Sequence, residues 1–139
     1  MKVLVDISVW SLALRRKKTK LNTSELQIIE ELIELVKDSR VILIGPIRQE
    51  ILSGIVSKSQ FMKLKKRLRA YDDFLITIND YEIASEFFNA CHNNGIQGSH
   101  IDFLICAVSH NNNFSIFTTD KDFNNYSKYI EIQLHQIRE

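Results

Sequence analysis

The chain has 139 residues, enough to bury one core and too few for two ordinary domains, so a single domain over residues 1–139 is expected. Its apolar fraction of 45%, charged fraction of 25% and net charge of +1 exclude disordered and membrane-embedded classes. No apolar run reaches the roughly 18 residues a membrane span needs, and MKVLVDISVW enters a strand-like pattern at once rather than a signal-peptide layout, so a cytoplasmic protein is expected.

Lys2 to Val5 is a short β-branched and leucine-rich run closed by Asp6, the pattern of a strand buried on both faces. A short helix follows from Ser8, then a basic loop. Over Thr23 to Val36 the apolar residues Leu26, Ile29, Leu32, Ile33 and Val36 recur at helical spacing, with Asn22 or Thr23 placed to cap the start. Val41 to Ile44 reads as a second strand, stopped by Gly45 and Pro46, and proline suits the first turn of a helix over Ile47 to Ile55 that carries Glu50. Ser59 to Tyr71 reads as a basic helix and Phe74 to Thr77 as a third strand. Tyr81 to Asn94 is a long helix ended by Gly95, a residue suited to a left-handed cap. Ile101 to Asn111 is helical, Ser115 to Thr118 a fourth strand, and a short helix after Asp120 precedes a last strand near Ile130 to Leu134.

Continuously apolar strands alternating with helices imply a mostly parallel sheet of four to five strands covered on both faces, a three-layer α/β/α sandwich. In such sheets ligands bind outside the carboxyl ends of the strands, where the winding direction reverses. The residues at those positions here are acidic: Asp6, Glu50, Asp102, and the pair Asp120 and Asp122.

Taken singly, each acid has an ordinary explanation. Asp6 suits a helix N-cap, Asp102 a capping box with Ser99, Asp120 the positive end of the next helix, and Glu50 an unremarkable surface. Taken together, acids from separate crossover units can converge on one edge of the sheet, which caps alone need not do. Clustered carboxylates repel and raise one another's pKa unless a cation sits among them. Hard oxygen ligands select Mg2+ or Mn2+, and the chemistry that follows is phosphodiester hydrolysis by a metal-activated water.

Four segments in order carry a family resemblance: VLVDISVW at the start, Gln49-Glu50-Ile51-Leu52-Ser53-Gly54, Ile101-Asp102-Phe103-Leu104-Ile105-Cys106-Ala107, and Phe117-Thr118-Thr119-Asp120-Lys121-Asp122-Phe123. With these the chain resembles, over its whole length, the PIN-domain ribonucleases, in particular the VapC-type toxins of toxin-antitoxin pairs. The resemblance implies a Mg2+- or Mn2+-dependent endoribonuclease whose acidic pocket is Asp6, Glu50, Asp102 and Asp120. Asp122 matches a further acid that acts directly on the metal or through water. Ser8 and Thr118 match small hydroxyl residues that orient ligands or bound water from behind. The resemblance also implies an RNA substrate, a cognate antitoxin that wraps the catalytic groove, and a homodimer.

Two basic clusters stand out, Arg15, Arg16, Lys17, Lys18 and Lys20 in one, and Lys58, Lys63, Lys65, Lys66, Arg67 and Arg69 in the other. Solvated helix faces explain such runs, and so does a track for a polyphosphate backbone; Lys63, Lys65, Lys66, Arg67 and Arg69 are the candidates for RNA or antitoxin contact. Cys91 and Cys106 lack disulfide or zinc spacing and read as reduced core residues, although Cys106 and His110 share a helix face. An aspartate-nucleophile phosphatase would want an acid where Ser8 stands, and a receiver-like domain would want an acidic pair near the first strand. A PIN fold that only binds a partner, without catalysis, is the alternative that survives.

Overall fold

The structure, a computed structural model, describes residues 1–15 and 18–138. Arg16 and Lys17 of the first basic cluster, the side chain of Lys18, and Glu139 lie outside the described residues. Along the chain run β1 (Val3–Val5), α1 (Ile7–Leu14), a 3-10 turn (Lys18–Lys20), α2 (Thr23–Lys37), β2 (Val41–Ile42), α3 (Gly45–Leu52), α4 (Lys58–Leu68), α5 (Ile78–Asn93), α6 (His100–Asn112), β3 (Ser115–Phe117), α7 (Asp122–Tyr126) and β4 (Gln133–Leu134).

Local chemistry sets the helix ends. Asn22 caps α2 through a full capping box, its side chain accepting from Glu25 N at 2.8 Å while the Glu25 carboxylate accepts from Asn22 N at 3.2 Å. Thr77 and Asp80 build the same box at the start of α5. Pro46 sits in the first turn of α3, and Gly95, at φ 76°, makes the left-handed turn that releases the chain from α5. Helix α3 stops at Leu52 because Ser53 is extended and Gly54 is left-handed at φ 85°, short of the expected Ile55. Helix α4 ends at Leu68, short of Tyr71, where Arg48 claims the carbonyls of Leu68 (2.9 Å) and Tyr71 with its two terminal nitrogens.

The strands pair in the order β2-β1-β3-β4, all parallel, with Val3 opposite Val41, Val5 opposite Phe117 and Ile116 opposite Leu134. The sheet therefore has four strands, the lower of the expected numbers. Phe74 to Thr77 is not a strand. The segment leaves one parallel bridge, Leu43 to Asp73, and one bond, Phe74 N to Leu43 O at 2.7 Å. The reason is local: Phe74 and Ile76 pack against the core, but Thr77 is consumed in capping α5 and Leu75 is 81% exposed, so the pairing ends at the single bridge. The last strand shrinks to Gln133–Leu134, anchored beside β3 by His135 N bonding Ile116 O at 2.8 Å.

The winding leaves β1 for β2 on one side and returns to β3 on the other, so the direction reverses between β1 and β3. Helices α1 and α3 pack on each other and on α2 and α4 respectively, while α5 packs on α6, and α6 on β3. Together these layers make the α/β/α sandwich expected from the sequence. Helix α6 is buried without interruption from Phe103 to Ser109, each large apolar side chain contributing about 1.5–3 kcal/mol by burial. Its first turn, which carries Asp102, is thereby mounted on a rigid support. Among the described residues no helix is long and apolar enough to cross a membrane.

Candidate active site

Asp6 follows β1 directly. Its backbone N bonds Phe117 O at 2.9 Å, extending the β1–β3 ladder by one rung before α1 begins. The side chain is 3% exposed, and its Oδ2 accepts from Ser8 Oγ at 2.7 Å and Thr118 Oγ1 at 2.8 Å, with Ser8 N at 3.5 Å. Each hydroxyl carries one proton, and both are aimed at the carboxylate. The same oxygens accept backbone donors from the β3 exit: Thr119 N reaches Ser8 Oγ and Asp120 N reaches Thr118 Oγ1, each at 3.0 Å. Asp120 Oδ1 in turn accepts Asp122 N at 2.9 Å. One hydrogen-bonded lattice thus joins the ends of β1 and β3, at the place where the sheet's winding reverses.

Asp102 comes from α6. Its backbone N bonds the Ser99 hydroxyl at 3.1 Å, and its Oδ2 accepts the Tyr126 hydroxyl at 2.7 Å. Glu50, half-buried near the end of α3, completes the group. Burial raises the pKa of Asp102, and the charges of Asp6 and Asp120 add to the rise against the lowering effect of the bonds from Tyr126 and Ser99. Burial likewise raises Glu50, with the charges of Asp6 and Asp102 adding to it. The structure therefore brings Asp6 and Asp102 within electrostatic reach of Glu50, and Asp6 and Asp120 within reach of Asp102. Asp122 stands apart, exposed on the first turn of α7, where its charge is felt by Tyr126.

The four carboxylates do not form a closed coordination shell: among the described residues, no three His, Cys, Asp or Glu side chains are grouped to hold one ion. A donor set of spaced carboxylates fits a hard cation that keeps much of its water and takes one or two carboxylates directly. The hydrogen bonds described engage Oδ2 of Asp6 and Oδ2 of Asp102, and the Oδ1 atoms are the oxygens left for such an ion.

Sequence patterning does not single out Tyr126 or Gly98. Tyr126 is fully buried between Phe103 and Phe123, and burial, followed by its bond to Asp102, pushes its hydroxyl far above the usual tyrosine range, so it remains a donor. A Cβ on Gly98 would overlap the Tyr126 hydroxyl and stand 2.8 Å from Phe103 Cε2. The signal available is the apolar pair Phe123 and Tyr126, three apart on α7, whose second member carries a polar tip that burial obliges to find a partner.

The basic side chains lie elsewhere. Lys63, Lys65, Lys66 and Arg69 border a shallow depression of about 440 Å³ on α4, Arg67 faces the groove between α1 and α2, and the charges acting on Glu50 and Asp102 are all carboxylates. The largest described cavity, about 640 Å³, lies over α2 and the C-terminal segment, lined by Glu31 and Arg138, away from this chemistry. Both cysteines are free and buried, and His110 Nδ1 lies 2.9 Å from Glu131 O, so packing accounts for the Cys106 and His110 pair.

Comparison with solved structures places three chains on this fold. The structure of FitAcB from Neisseria gonorrhoeae superposes with a TM-score of 0.75 at 16% identity, covering 96% of each chain. VapBC2 from Rickettsia felis, bound to a DNA fragment from its promoter, gives 0.75 at 16% identity over 97% of this chain and 98% of that one. FitAB bound to an IR36 DNA fragment gives 0.73 at 15% identity, covering 96% of this chain and 93% of that one. No curated relative matches the sequence. The family model for the PIN domain matches residues 3–129, which span every acid of the site, and the chain belongs to the PIN domain family, a family of nucleases.

Proposed function

We propose that the chain is a metal-dependent endoribonuclease that hydrolyses RNA phosphodiesters, and that it is the toxin of a toxin-antitoxin pair. The observation that carries this reading is the crowding of carboxylates at the β1/β3 reversal, where the charges of Asp6 and Asp102 act on Glu50 and those of Asp6 and Asp120 act on Asp102. Like charges raise one another's pKa, an arrangement that a folded protein retains when a cation and a phosphate are to be held there. A bound Mg2+ or Mn2+ supplies a Lewis acid for a phosphate oxygen and lowers the pKa of a water that attacks phosphorus.

The residues have separable tasks. Asp6 and Asp102, each tethered through Oδ2, present Oδ1 as ligands. Ser8 and Thr118 hold Asp6 and, through Thr119 N and Asp120 N, hold the β3 exit in register with it. To Glu50, raised in pKa and half-buried, we assign acceptance of the proton from the attacking water. Asp120 and Asp122 act at the rim, Asp122 through water.

A cognate antitoxin and a second copy are the partners we assign. The apolar groove of about 360 Å³ between α1, α2 and α4, floored by Trp10, Leu32 and Leu68 and flanked by Lys37 and Arg67, suits an amphipathic segment with acidic flanks. The surface over α5 and α6, where Tyr81 is exposed beside Phe88 and Ile101, suits the second copy. The resemblance to VapC-type toxins supports the two partners, and the lining of each surface supports its place.

The test is cleavage of a total cellular RNA pool by the purified protein with Mg2+ or Mn2+, against EDTA and an Asp102→Ala control. Cutting that requires metal and is lost in the variant supports the reading. No cutting by antitoxin-free protein assigns the chain to the non-catalytic PIN fold that acts by binding.

A further inference from the structure

The geometry points to Tyr126 as the positioning residue that fixes Asp102 by its Oδ2 and leaves Oδ1 as the oxygen that would face a small divalent cation; this rests on the metal-dependent reading above. Tyr126 is fully buried, its ring centroid 4.8 Å from that of Phe103 and 5.2 Å from that of Phe123. Gly98 closes the space behind the hydroxyl, and a Cβ there would lie 2.8 Å from Tyr126 Cζ. A ring enclosed in this way holds its hydroxyl in one place, and the donor goes to Asp102 Oδ2 at 2.7 Å. Asp102 is held from the other side as well, by the Ser99 cap on its backbone N at 3.1 Å and by the buried run of α6 that follows.

Asp6 is treated the same way by different residues. Its Oδ2 receives both Ser8 Oγ and Thr118 Oγ1, leaving Oδ1 as the free oxygen. Two acids from separate elements of the site therefore each have one oxygen engaged by neutral donors. A carboxylate with one oxygen already occupied by hydrogen bonds favours binding a cation through the other. That geometry suits Mg2+ or Mn2+, with near-octahedral shells and bonds of about 2.0–2.1 Å, and disfavours Ca2+, which is larger and takes bidentate carboxylates at about 2.3–2.6 Å. Tyr126 thus contributes to choosing the ion as well as to holding its ligand.

The test compares wild type, Tyr126→Phe, Gly98→Ala and Asp102→Ala by calorimetric titration with Mn2+ and separately with Ca2+, alongside melting temperatures. Tyr126→Phe keeps the ring and deletes the donor; Mn2+ binding is expected to weaken about 10-fold, in the range found when a residue supporting a metal ligand is removed. Ca2+ binding is expected to weaken less or to strengthen, so the Mn2+/Ca2+ ratio falls. Gly98→Ala, which keeps the hydroxyl but displaces it, is expected to move the ratio the same way. An unchanged ratio in Tyr126→Phe, with wild type binding Mn2+, overturns the positioning role and leaves the metal reading standing, even if the melting temperature drops. Wild type that binds Mn2+ no better than Asp102→Ala overturns the metal reading and this inference with it.

Discussion

Glu31→Gln, a change of one atom in α2, is expected to loosen the C-terminal segment by a calculable amount. The Glu31 carboxylate is 4% exposed and holds that segment at two points: His135 Nε2 at 2.6 Å from Oε2, and Arg138 Nε at 3.0 Å from Oε1. Glutamine keeps one acceptor and turns a donor toward the other partner. The His135 side chain is 9% exposed, so its bond to an ionised group is worth about 1.5–3 kcal/mol. Arg138 is half exposed and solvent weakens its share. With the charge removed and both bonds reduced to neutral ones, the total loss is about 2–3 kcal/mol. At about 2.1 cal/mol/K per residue, that lowers the melting temperature of a chain this size by about 7–10 °C. The pH dependence separates charge from packing. Burial alone would raise Glu31, but the bonds from His135 and Arg138 outweigh it and hold its pKa below the ordinary 4.5. A depressed acid stabilises the fold fully above its unfolded pKa, and the stabilisation is lost as pH falls through the folded value. Thermal melts followed by circular dichroism should show the full gap between wild type and variant at pH 6–7, and a closing gap once pH falls below 4.5. A gap of the same size at pH 3 would refute the electrostatic argument.

Asp102→Asn should raise the metal-free melting temperature at pH 7–8. The Asp102 pKa is raised by burial and by the charges of Asp6 and Asp120, so its ionised form weighs against the fold at pH values above the folded pKa and not below 3.8. The gain should therefore vanish near pH 3, and an unchanged or lower melting temperature at pH 7–8 would show that the acids are not crowded. Replacing Lys63, Lys65, Lys66, Arg67 and Arg69 of α4 by glutamine should flatten the salt dependence of RNA binding by about 0.7 in the log-log slope for each phosphate that α4 no longer neutralises. An unchanged slope would return α4 to the role of a solvated face.

Most of the sandwich is readable from periodicity, because its parts are set by short-range chemistry. β1 is buried on both faces and reads as a continuous apolar run; α2 announces itself by its cap Asn22 and α5 by the glycine that ends it. The expected strand at Phe74 to Thr77 does not form because β-forming composition says nothing of whether a sheet edge is available. Thr77 has the composition of a strand residue and is an N-cap, and Leu75 and Ile78 point to solvent, a pattern settled by tertiary neighbours. The end of α4 differs from expectation for a related reason. Nothing within that helix marks Leu68 as its last residue; Arg48, twenty residues earlier in the chain, takes the carbonyl there.

The site is legible as a set of acids but not as a mechanism for orienting them, and the contrast between Asp80 and Asp102 shows why. Both stand three residues after a Ser or Thr that caps a helix start, the spacing of a capping box. Asp80 completes the box, its carboxylate accepting Thr77 N at 2.9 Å and Asn111 Nδ2 at 2.8 Å, and both its oxygens are used within the fold. Asp102 takes the cap from Ser99 but sends its own carboxylate to Tyr126, twenty-four residues later. Asp6 divides in the same manner: its N-cap contact to Ser8 N is long, at 3.5 Å, while the side-chain hydroxyls of Ser8 and Thr118 approach to 2.7 and 2.8 Å and therefore set its direction. Acids whose local duty is weak or handed to a neighbour are the ones gathered at the sheet reversal, and that distinction lies in long-range contacts with Thr118 and Tyr126, which no local spacing encodes.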